Sequence, residues 1–283
     1  MDYVGDVTHA TAAAADFFRR YQATKSAKDV EGTMAFFSTD RLTYTDAILG
    51  WVLDRASLAE TFRNYMPGWG DGQSYATAVL GTESSAVLFV RDTPELFGSD
   101  LLIIGAVDIE NGTITRWVDY WDGRNDASTA LGMKTPPEQF PQEFGESTTP
   151  QNSSGAITQS AARLAEALAD GDAAAATAMF ATDATVEDMT LRTRVRGKLA
   201  ISRYLHRATA ALPYGSGSGL RRIHGGDLGG GYEWTNEARP VGRGITALVL
   251  DSEGLVTSLT AVWDGSLVDD DEYTALVSLA REP

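Results

Sequence analysis

The sequence predicts an α+β protein made of two similar domains, and three observations support this prediction. The first is an internal repeat, since residues 34–40 return as residues 177–183 and residues 121–123 return as residues 263–265. The second is a change from helical to strand periodicity in the same order within each copy. The third is a proline-rich stretch between the copies. Together they predict helices followed by a sheet, twice.

The repeat and the stretch between the copies set the expected domain boundaries. Residues 1–125 form the first domain, residues 126–155 a linker, and residues 156–283 the second domain with a C-terminal tail helix. The linker holds four of the nine prolines and ends in Ser, Asn and Gly. Such a composition is typical of connecting segments.

Each copy is expected to begin with three helices. In the first copy, residues 8–27 place Phe17 and Tyr21 on one edge of an amphipathic helix. Residues 29–37 predict a short second helix, and residues 55–65 predict a third. Strands follow at residues 75–80, 86–90, 101–107 and 114–121. We therefore expect two cone-shaped domains, each with three helices packed on a curved antiparallel sheet.

Two strand candidates are apolar without alternation, namely residues 101–107 and residues 245–250. Continuous apolar runs of this length are typical of strands buried on both faces. One face covers the helices of its own domain. The other face is expected to pack on the corresponding sheet of the other domain, which would make the chain an intramolecular pseudo-dimer.

This arrangement leads to a prediction for the separated halves. Cutting the chain within residues 126–155 and expressing each half alone should expose an apolar sheet face, so we expect both halves to self-associate. Light scattering after size-exclusion chromatography measures this directly. Two monomeric halves with full stability would contradict the pseudo-dimer.

Composition excludes several classes of function. The 283 residues contain 23 Lys and Arg against 39 Asp and Glu, a net charge of −16, so nucleic acid and anionic membranes are poor partners. There are no cysteines and only three histidines, and no nucleotide-binding motif is present, so neither a metal nor a cofactor is expected. The start of the chain lacks a basic signal region, and no stretch is long enough to span a membrane. We expect a cytoplasmic monomer with a small-molecule substrate, its further oligomerisation left open.

The order of elements, with residues 40–46 after the second helix and residues 114–122 on the last strand, resembles the SnoaL-like branch of the nuclear-transport-factor-like superfamily. Residues 183–188 resemble the same signature in the second copy. The resemblance leaves the linker and residues 269–283 unassigned. It implies this superfamily's fold, which hosts polyketide cyclases, limonene-type and polyether-forming epoxide hydrolases, dehydratases and binding modules.

Asp119 is the leading catalytic candidate. It shares a strand face with Trp117 and Trp121, because alternate residues point to the same side. The matching positions of the second copy are all apolar: Leu259, Ala261 and Trp263. A carboxyl group among aromatic rings is expected to have a raised pKa and to carry protons near neutral pH. The resemblance implies the same, since similar cyclases use an aspartate at this place. The alternative is a buried Asp satisfied by nearby donors.

Asp46 and Tyr21 form a second candidate pair, which resembles the Asp and Tyr of polyether epoxide hydrolases. Two acidic groups across one pocket suit epoxide opening, which needs a base and an acid. The resemblance also implies a Glu after the third helix, but the sequence there contains none. The alternatives are a turn residue for Asp46 and a core residue for Tyr21.

Asp92 and its neighbour Arg91 resemble the Arg and Asp of limonene-type hydrolases. Adjacent strand residues face opposite ways, so the two are not expected to act in one site. In the second copy, Asp188, Glu233 and His224 are the polar candidates for catalysis. The aromatic residues expected to line the two pockets are Tyr44, Trp51, Trp117, Trp121, Tyr232, Trp234 and Trp263.

The sequence therefore predicts a cofactor-independent enzyme that forms rings or opens epoxides on a hydrophobic polyketide-type precursor by acid/base catalysis. Two alternatives remain: a non-catalytic module that binds an apolar small molecule, and a dehydratase or isomerase built on a His–Asp pair. The second copy has an alanine, Ala261, at the position that matches Asp119. The first domain is therefore expected to be the one that transfers protons.

Overall fold

The computed structural model describes residues 3–125 and 132–281. The chain divides into two compact units, Met1–Asn152 and Ser153–Pro283. Each unit combines helices with one β-sheet, so the protein has the predicted α+β class. The part of the expected linker at 126–131 lies outside the described residues.

The described part of the first unit contains four α-helices and seven strands. The helices are α1 (Ala12–Ser26), α2 (Val30–Met34), α3 (Arg55–Tyr65) and α4 (Pro94–Phe97). The strands are β1 (Val4–Ala10), β2 (Thr43–Asp46), β3 (Trp51–Leu53), β4 (Ser74–Gly81), β5 (Ser85–Asp92), β6 (Leu101–Glu110) and β7 (Thr113–Tyr120).

The strands of the first unit lie in the order β1-β4-β5-β6-β7-β2-β3. The sheet is mixed and not purely antiparallel as expected, because β1 pairs with β4, and β2 with β7, in parallel. Parallel neighbours need a long crossover, and the segments that carry α1 and α3 supply it. The β6–β7 hairpin turns at Asn111 and Gly112, whose φ angles of 50° and 74° suit a tight two-residue turn.

The predicted helices differ from the observed ones mainly at their ends. The helix expected at residues 8–27 begins only at Ala12, because residues 8–10 belong to strand β1. Thr11 caps it, its hydroxyl accepting a hydrogen bond from the Ala14 N–H at 3.2 Å. The second helix is shorter than expected, at Val30–Met34. Helix α3 agrees with its predicted bounds and is capped by Asp54, which accepts from the Ser57 N–H at 2.8 Å.

Residues 132–152, part of the expected linker, pack on the first unit. The Trp51 indole donates to the Met133 carbonyl at 2.9 Å, and the Thr135 N–H donates to the Leu49 carbonyl at 2.7 Å. Residues 133–135 of this stretch therefore lie against the β2–β3 hairpin.

The second unit repeats the order of elements from α1 to β7, without counterparts of β1 and α4 among the described residues. Its helices are α5 (Ala156–Ala169), α6 (Ala173–Ala178), α7 (Lys198–Ala208) and α8 (Asp270–Ser278), the last being the expected tail helix. Its strands are β8 (Phe180–Asp188), β9 (Thr193–Arg196), β10 (Gly219–Gly226), β11 (Gly229–Thr235), β12 (Arg243–Leu250) and β13 (Val256–Trp263).

The register of the second sheet reproduces that of the first. Its order is β10-β11-β12-β13-β8-β9, with β8 parallel to β13 as β2 is to β7. Asp188 lies opposite Ala261, where Asp46 lies opposite Asp119 in the first unit. Asp188 is thus the counterpart of Asp46, and Ala261 is the counterpart of Asp119.

Candidate functional site

The first unit contains a pocket between its helices and the concave face of its sheet. The space between the lining atoms is about 710 Å³ when the open mouth is included. The ionisable groups in its wall are Lys25, Tyr44, Asp46, Tyr65, Asp92 and Asp119. Most of the remaining wall is apolar or aromatic, including Trp51, Phe62, Phe97, Leu101, Ile103 and Trp121. This combination favours an apolar ligand that meets a few charged groups.

Asp119 is held by two side-chain donors. The Tyr44 hydroxyl donates to its Oδ2 at 2.6 Å, and the Trp117 indole N–H donates to its Oδ1 at 2.6 Å. Trp117 lies two residues earlier on β7 and therefore on the same face. The Tyr44 ring stacks on the Trp117 ring with centroids 6.2 Å apart. The carboxylate is thereby fixed in one orientation at the pocket wall.

Gly105 provides the space that this arrangement needs. It lies directly opposite Asp119 on the neighbouring strand β6. A Cβ atom at this position would lie 3.2 Å from Asp119 Oδ1 and 3.2 Å from Trp117 Nε1. In the second unit the corresponding pair is Thr246 and Ala261, so the glycine and the aspartate are replaced together.

We expect Gly105→Ala to lower the free energy of unfolding by about 1–2 kcal/mol, because the added methyl group crowds the indole–carboxylate hydrogen bond. Urea unfolding measures the change. Gly68→Ala is the matched control, since its Cβ would meet no atom within 4 Å, and it should stay within about 0.5 kcal/mol of the wild type. Equal stability of the two variants would show that Gly105 is not required.

Burial raises the pKa of Asp119 above its ordinary value. The positive charge of Lys25 and the hydrogen bonds from Tyr44 and Trp117 lower that pKa and offset part of the burial. Such a carboxyl group can exchange a proton closer to neutral pH than an exposed aspartate can.

Asp46 lies beside Asp119, on the parallel strand β2. Its Oδ1 accepts from the N–H groups of Ile48 and Leu49 at 2.9 Å, and the Trp121 indole donates to its Oδ2 at 3.0 Å. Burial is the main cause that raises its pKa to about 7, with a contribution from the negative charge of Asp119. Asp46 therefore carries a proton for much of the time near neutral pH.

Tyr21 does not form the expected pair with Asp46. Its ring packs on Trp117 with centroids 5.2 Å apart, and its hydroxyl has no hydrogen-bond partner in the described part of the chain. Burial raises the pKa of Tyr21 well above its ordinary value, and the charges of Asp119 and Asp92 add to this. The tyrosine that contacts a pocket carboxylate is Tyr44 instead.

Lys25 and Asp92 also lie in the pocket wall; the sequence predicts no role for Lys25 and singles out Asp92 only together with Arg91. Lys25 follows Tyr21 by four residues, so helical spacing places both on the same face of α1. Asp92 is buried at the end of β5, whereas its neighbour Arg91 is exposed and donates to Asp100 at 2.7 Å. The two strand neighbours do face opposite ways, as strand geometry requires.

Asp188 occupies in the second unit the place that Asp46 occupies in the first. The Leu191 N–H donates to its Oδ1 at 2.9 Å and the Trp263 indole to its Oδ2 at 3.1 Å. Burial raises its pKa to about 6. The bond between this aspartate and a tryptophan of the last strand is thus common to both units, while the Asp119 arrangement belongs to the first.

Glu233 and His224 are not brought to Asp188. Their side chains meet each other, with His224 Nε2 2.8 Å from Glu233 Oε1, and both are buried. Glu233 alternates on β11 with Tyr232 and Trp234, and His224 follows Ile223 on the neighbouring strand β10; Ile223, Tyr232 and Trp234 all pack in the core of the second unit. The His224–Glu233 pair therefore lies on the opposite face of the sheet from that core.

The aromatic candidates divide in the same way. Tyr44, Trp51 and Trp121 line the pocket of the first unit, and Trp117 supports Asp119 from the core. Tyr232, Trp234 and Trp263 are buried in the core of the second unit.

Among residues 3–125 and 132–281, no group of three His, Asp or Glu side chains could hold a metal ion. No helix in this same part of the chain is long and apolar enough to cross a membrane.

The fold and site define a class: an α+β unit in which a curved sheet and helices enclose a pocket with a buried carboxylate on the last strand. Residues 161–268 match the model of the SnoaL-like domain family. The second unit therefore contains a SnoaL-like domain, which confirms the resemblance predicted from the sequence for this unit.

Solved structures with detectable similarity include proteins from three bacteria. A putative ketosteroid isomerase from Kribbella flavida is 20% identical, with 50% of this chain and 90% of that chain covered and a TM-score of 0.35. A SnoaL-like protein of unknown function from Burkholderia thailandensis is 13% identical, with 40% and 97% covered and a TM-score of 0.35. A putative hydroxylase from Streptomyces galilaeus is 15% identical, with 44% and 98% covered and a TM-score of 0.35. None of the curated proteins matches the chain.

Proposed function

We propose that the first unit is a cofactor-independent enzyme that opens an epoxide, or closes a ring by epoxide opening, on a hydrophobic polyketide-type molecule. The observation that carries this proposal is Asp119, a buried carboxylate fixed by Tyr44 and Trp117 in the wall of an apolar pocket. The neighbouring carboxyl group of Asp46, with a pKa raised to about 7, supplies the second proton carrier.

The two carboxyl groups take different roles in the proposed reaction. Lys25, Tyr44 and Trp117 stabilise the ionised form of Asp119, which suits a general base. Asp46, with its pKa raised to about 7, carries a proton for much of the time near neutral pH and suits a general acid. Their positions on adjacent parallel strands let both reach one small ligand.

Protons and bonds balance as follows. Asp119 removes the proton of the attacking hydroxyl group, or of water in hydrolysis, and this oxygen forms a bond to one epoxide carbon. The C–O bond between that carbon and the epoxide oxygen breaks, and the released oxygen takes the proton of Asp46. Asp119 is then protonated and Asp46 ionised, and exchange with solvent restores both.

The second candidate function is a module that binds an apolar small molecule without changing it. A carboxylate such as Asp119, fixed by two protein donors, can also anchor a ligand through one hydrogen bond without transferring a proton. A dehydratase or isomerase with a His–Asp pair gains no support, because His224 lies on the other face of its sheet from Asp188.

Incubation with an apolar epoxy alcohol separates these functions. Chromatography with mass spectrometry would detect a cyclic ether or a diol, and quenching of tryptophan fluorescence would report binding. Product formed faster than without protein supports the enzyme. Saturable binding without product supports the binding module, and a series of epoxy alcohols that neither bind nor react would contradict both.

A further inference from the structure

Lys25 and Asp92 face each other in the pocket wall of the first unit without a direct hydrogen bond. Lys25 Nζ lies 4.0 Å from Asp92 Oδ1, and the two side chains are 10% and 3% exposed. A hydrogen bond between these atoms would require a separation of about 3.2 Å or less. The buried oxygen Asp92 Oδ1 also has no other hydrogen-bond partner among the residues that the structure describes.

An unpaired buried carboxylate oxygen is costly, so the gap calls for an atom that can satisfy both groups. Two hydrogen bonds of about 2.8 Å that meet at one tetrahedral oxygen span roughly 4.6 Å. The observed 4.0 Å is close to this span, and the flexible lysine stem can provide the remainder. One oxygen atom therefore fits between the ammonium and the carboxylate.

The chemistry of the two groups selects the kind of oxygen. The ammonium only donates hydrogen bonds and the carboxylate only accepts them, so the bridging oxygen must accept one and donate the other. A hydroxyl group does both. A carbonyl or ether oxygen would leave Asp92 unpaired, a carboxylate would be repelled by Asp92, and an amine cation would be repelled by Lys25.

We propose that Lys25 and Asp92 form a hydroxyl-binding subsite, and that the ligand of this pocket is a mainly apolar alcohol whose hydroxyl group bridges them. This inference rests on the function proposed for the pocket of the first unit, and it adds the chemical class of the ligand. The carbon skeleton lies along the apolar wall that includes Phe62, Phe97 and Ile103. In the proposed reaction this hydroxyl positions the molecule against Asp119.

The direct test compares two probes by calorimetric titration: 1-decalol and its methyl ether, in which a methyl group replaces the hydroxyl hydrogen and removes the hydrogen-bond donor. The wild type should bind the alcohol about 10- to 100-fold more tightly, as expected for a hydrogen bond to a charged group. In the double variant Lys25→Met/Asp92→Leu, which replaces the pair by apolar side chains, this preference should disappear while the ether still binds. Circular dichroism and thermal unfolding establish that the variant is folded.

Three results overturn the subsite. Equal affinity of the wild type for alcohol and ether is expected if only water fills this position. If the double variant still prefers the alcohol to the ether, the hydroxyl group contacts other residues than Lys25 and Asp92. Failure of both probes to bind the wild type removes the pocket assignment as well.

The test is independent of turnover. A preference for the alcohol in a protein that forms no product from epoxy alcohols would refute the proposed enzyme and leave the subsite in place. Product formation by a protein that binds the alcohol and the ether equally well would support the proposed enzyme and refute the subsite.

Discussion

The variant Asp119→Asn is expected to lower kcat/KM for an epoxy alcohol by about 10²- to 10⁴-fold, the usual contribution of a general acid or base. Asparagine keeps the shape of the side chain. Its amide oxygen can still accept from the Trp117 indole, and its amide nitrogen can donate to the Tyr44 hydroxyl. The amide cannot take up a proton, so the reaction loses its base while the pocket keeps its form.

Thermal unfolding and probe binding accompany this measurement. A variant with wild-type stability, near wild-type affinity for 1-decalol methyl ether and greatly reduced turnover supports proton transfer by Asp119. Wild-type turnover would instead show that Asp119 is a structural residue. Because the ether has no donor and cannot bridge Lys25 and Asp92, the control stays separate from the hydroxyl subsite.

The second large effect concerns stability and pH. The pKa values of Asp46 and Asp188 are raised to about 7 and about 6 in the folded protein, against about 3.9 in an unfolded chain. Between pH 4 and pH 7 the folded state therefore binds protons that the unfolded state releases. The stabilisation is fully present below about pH 4 and is lost as pH rises through the folded pKa values.

We expect the free energy of unfolding in urea to be about 3 kcal/mol higher at pH 5.5 than at pH 8.0. The double variant Asp46→Asn/Asp188→Asn, which cannot titrate at either position, should flatten this dependence. Asp16→Asn is the matched control, since the Asp16 side chain is 67% exposed, and it should leave the slope unchanged. A wild type that is more stable at pH 8.0 would contradict the raised pKa values.

Features set by local periodicity could be predicted from the sequence. Helix α3 has both its expected bounds and its Asp54 cap, because an N-cap and an amphipathic turn are written in adjacent residues. The shared face of Trp117, Asp119 and Trp121 follows from the two-residue period of a strand. The α+β class followed from the order of such segments.

Features set by distant contacts could not be predicted in this way. Strand β1 lies at one edge of the sheet, only Val4 among its residues is buried, and it has no clear apolar alternation, so the sequence extends the following helix over residues 8–10. The parallel pairing of β2 with β7 joins residues far apart in sequence. No local pattern specifies that register.

The candidate site shows the same division. Asp119 could be identified because a carboxylate in an apolar pattern is conspicuous, and Asp46 through its resemblance to the Asp of polyether epoxide hydrolases. Lys25 was missed because lysine usually extends into solvent, although its spacing of four residues from Tyr21 was a usable signal. Gly105 was interpreted only as part of an apolar run, since its role depends on lying opposite Asp119.

The central claim is that proton transfer occurs in the first unit, and a paired assay tests it most directly. Turnover of the same epoxy alcohol is measured for Asp119→Asn and for the double variant Asp188→Asn/Glu233→Gln. We predict that the first variant loses about 10²-fold or more, while the second stays within a few-fold of the wild type. Loss of the reaction in the second variant, with activity kept in the first, would contradict the account and assign the working site to the second unit.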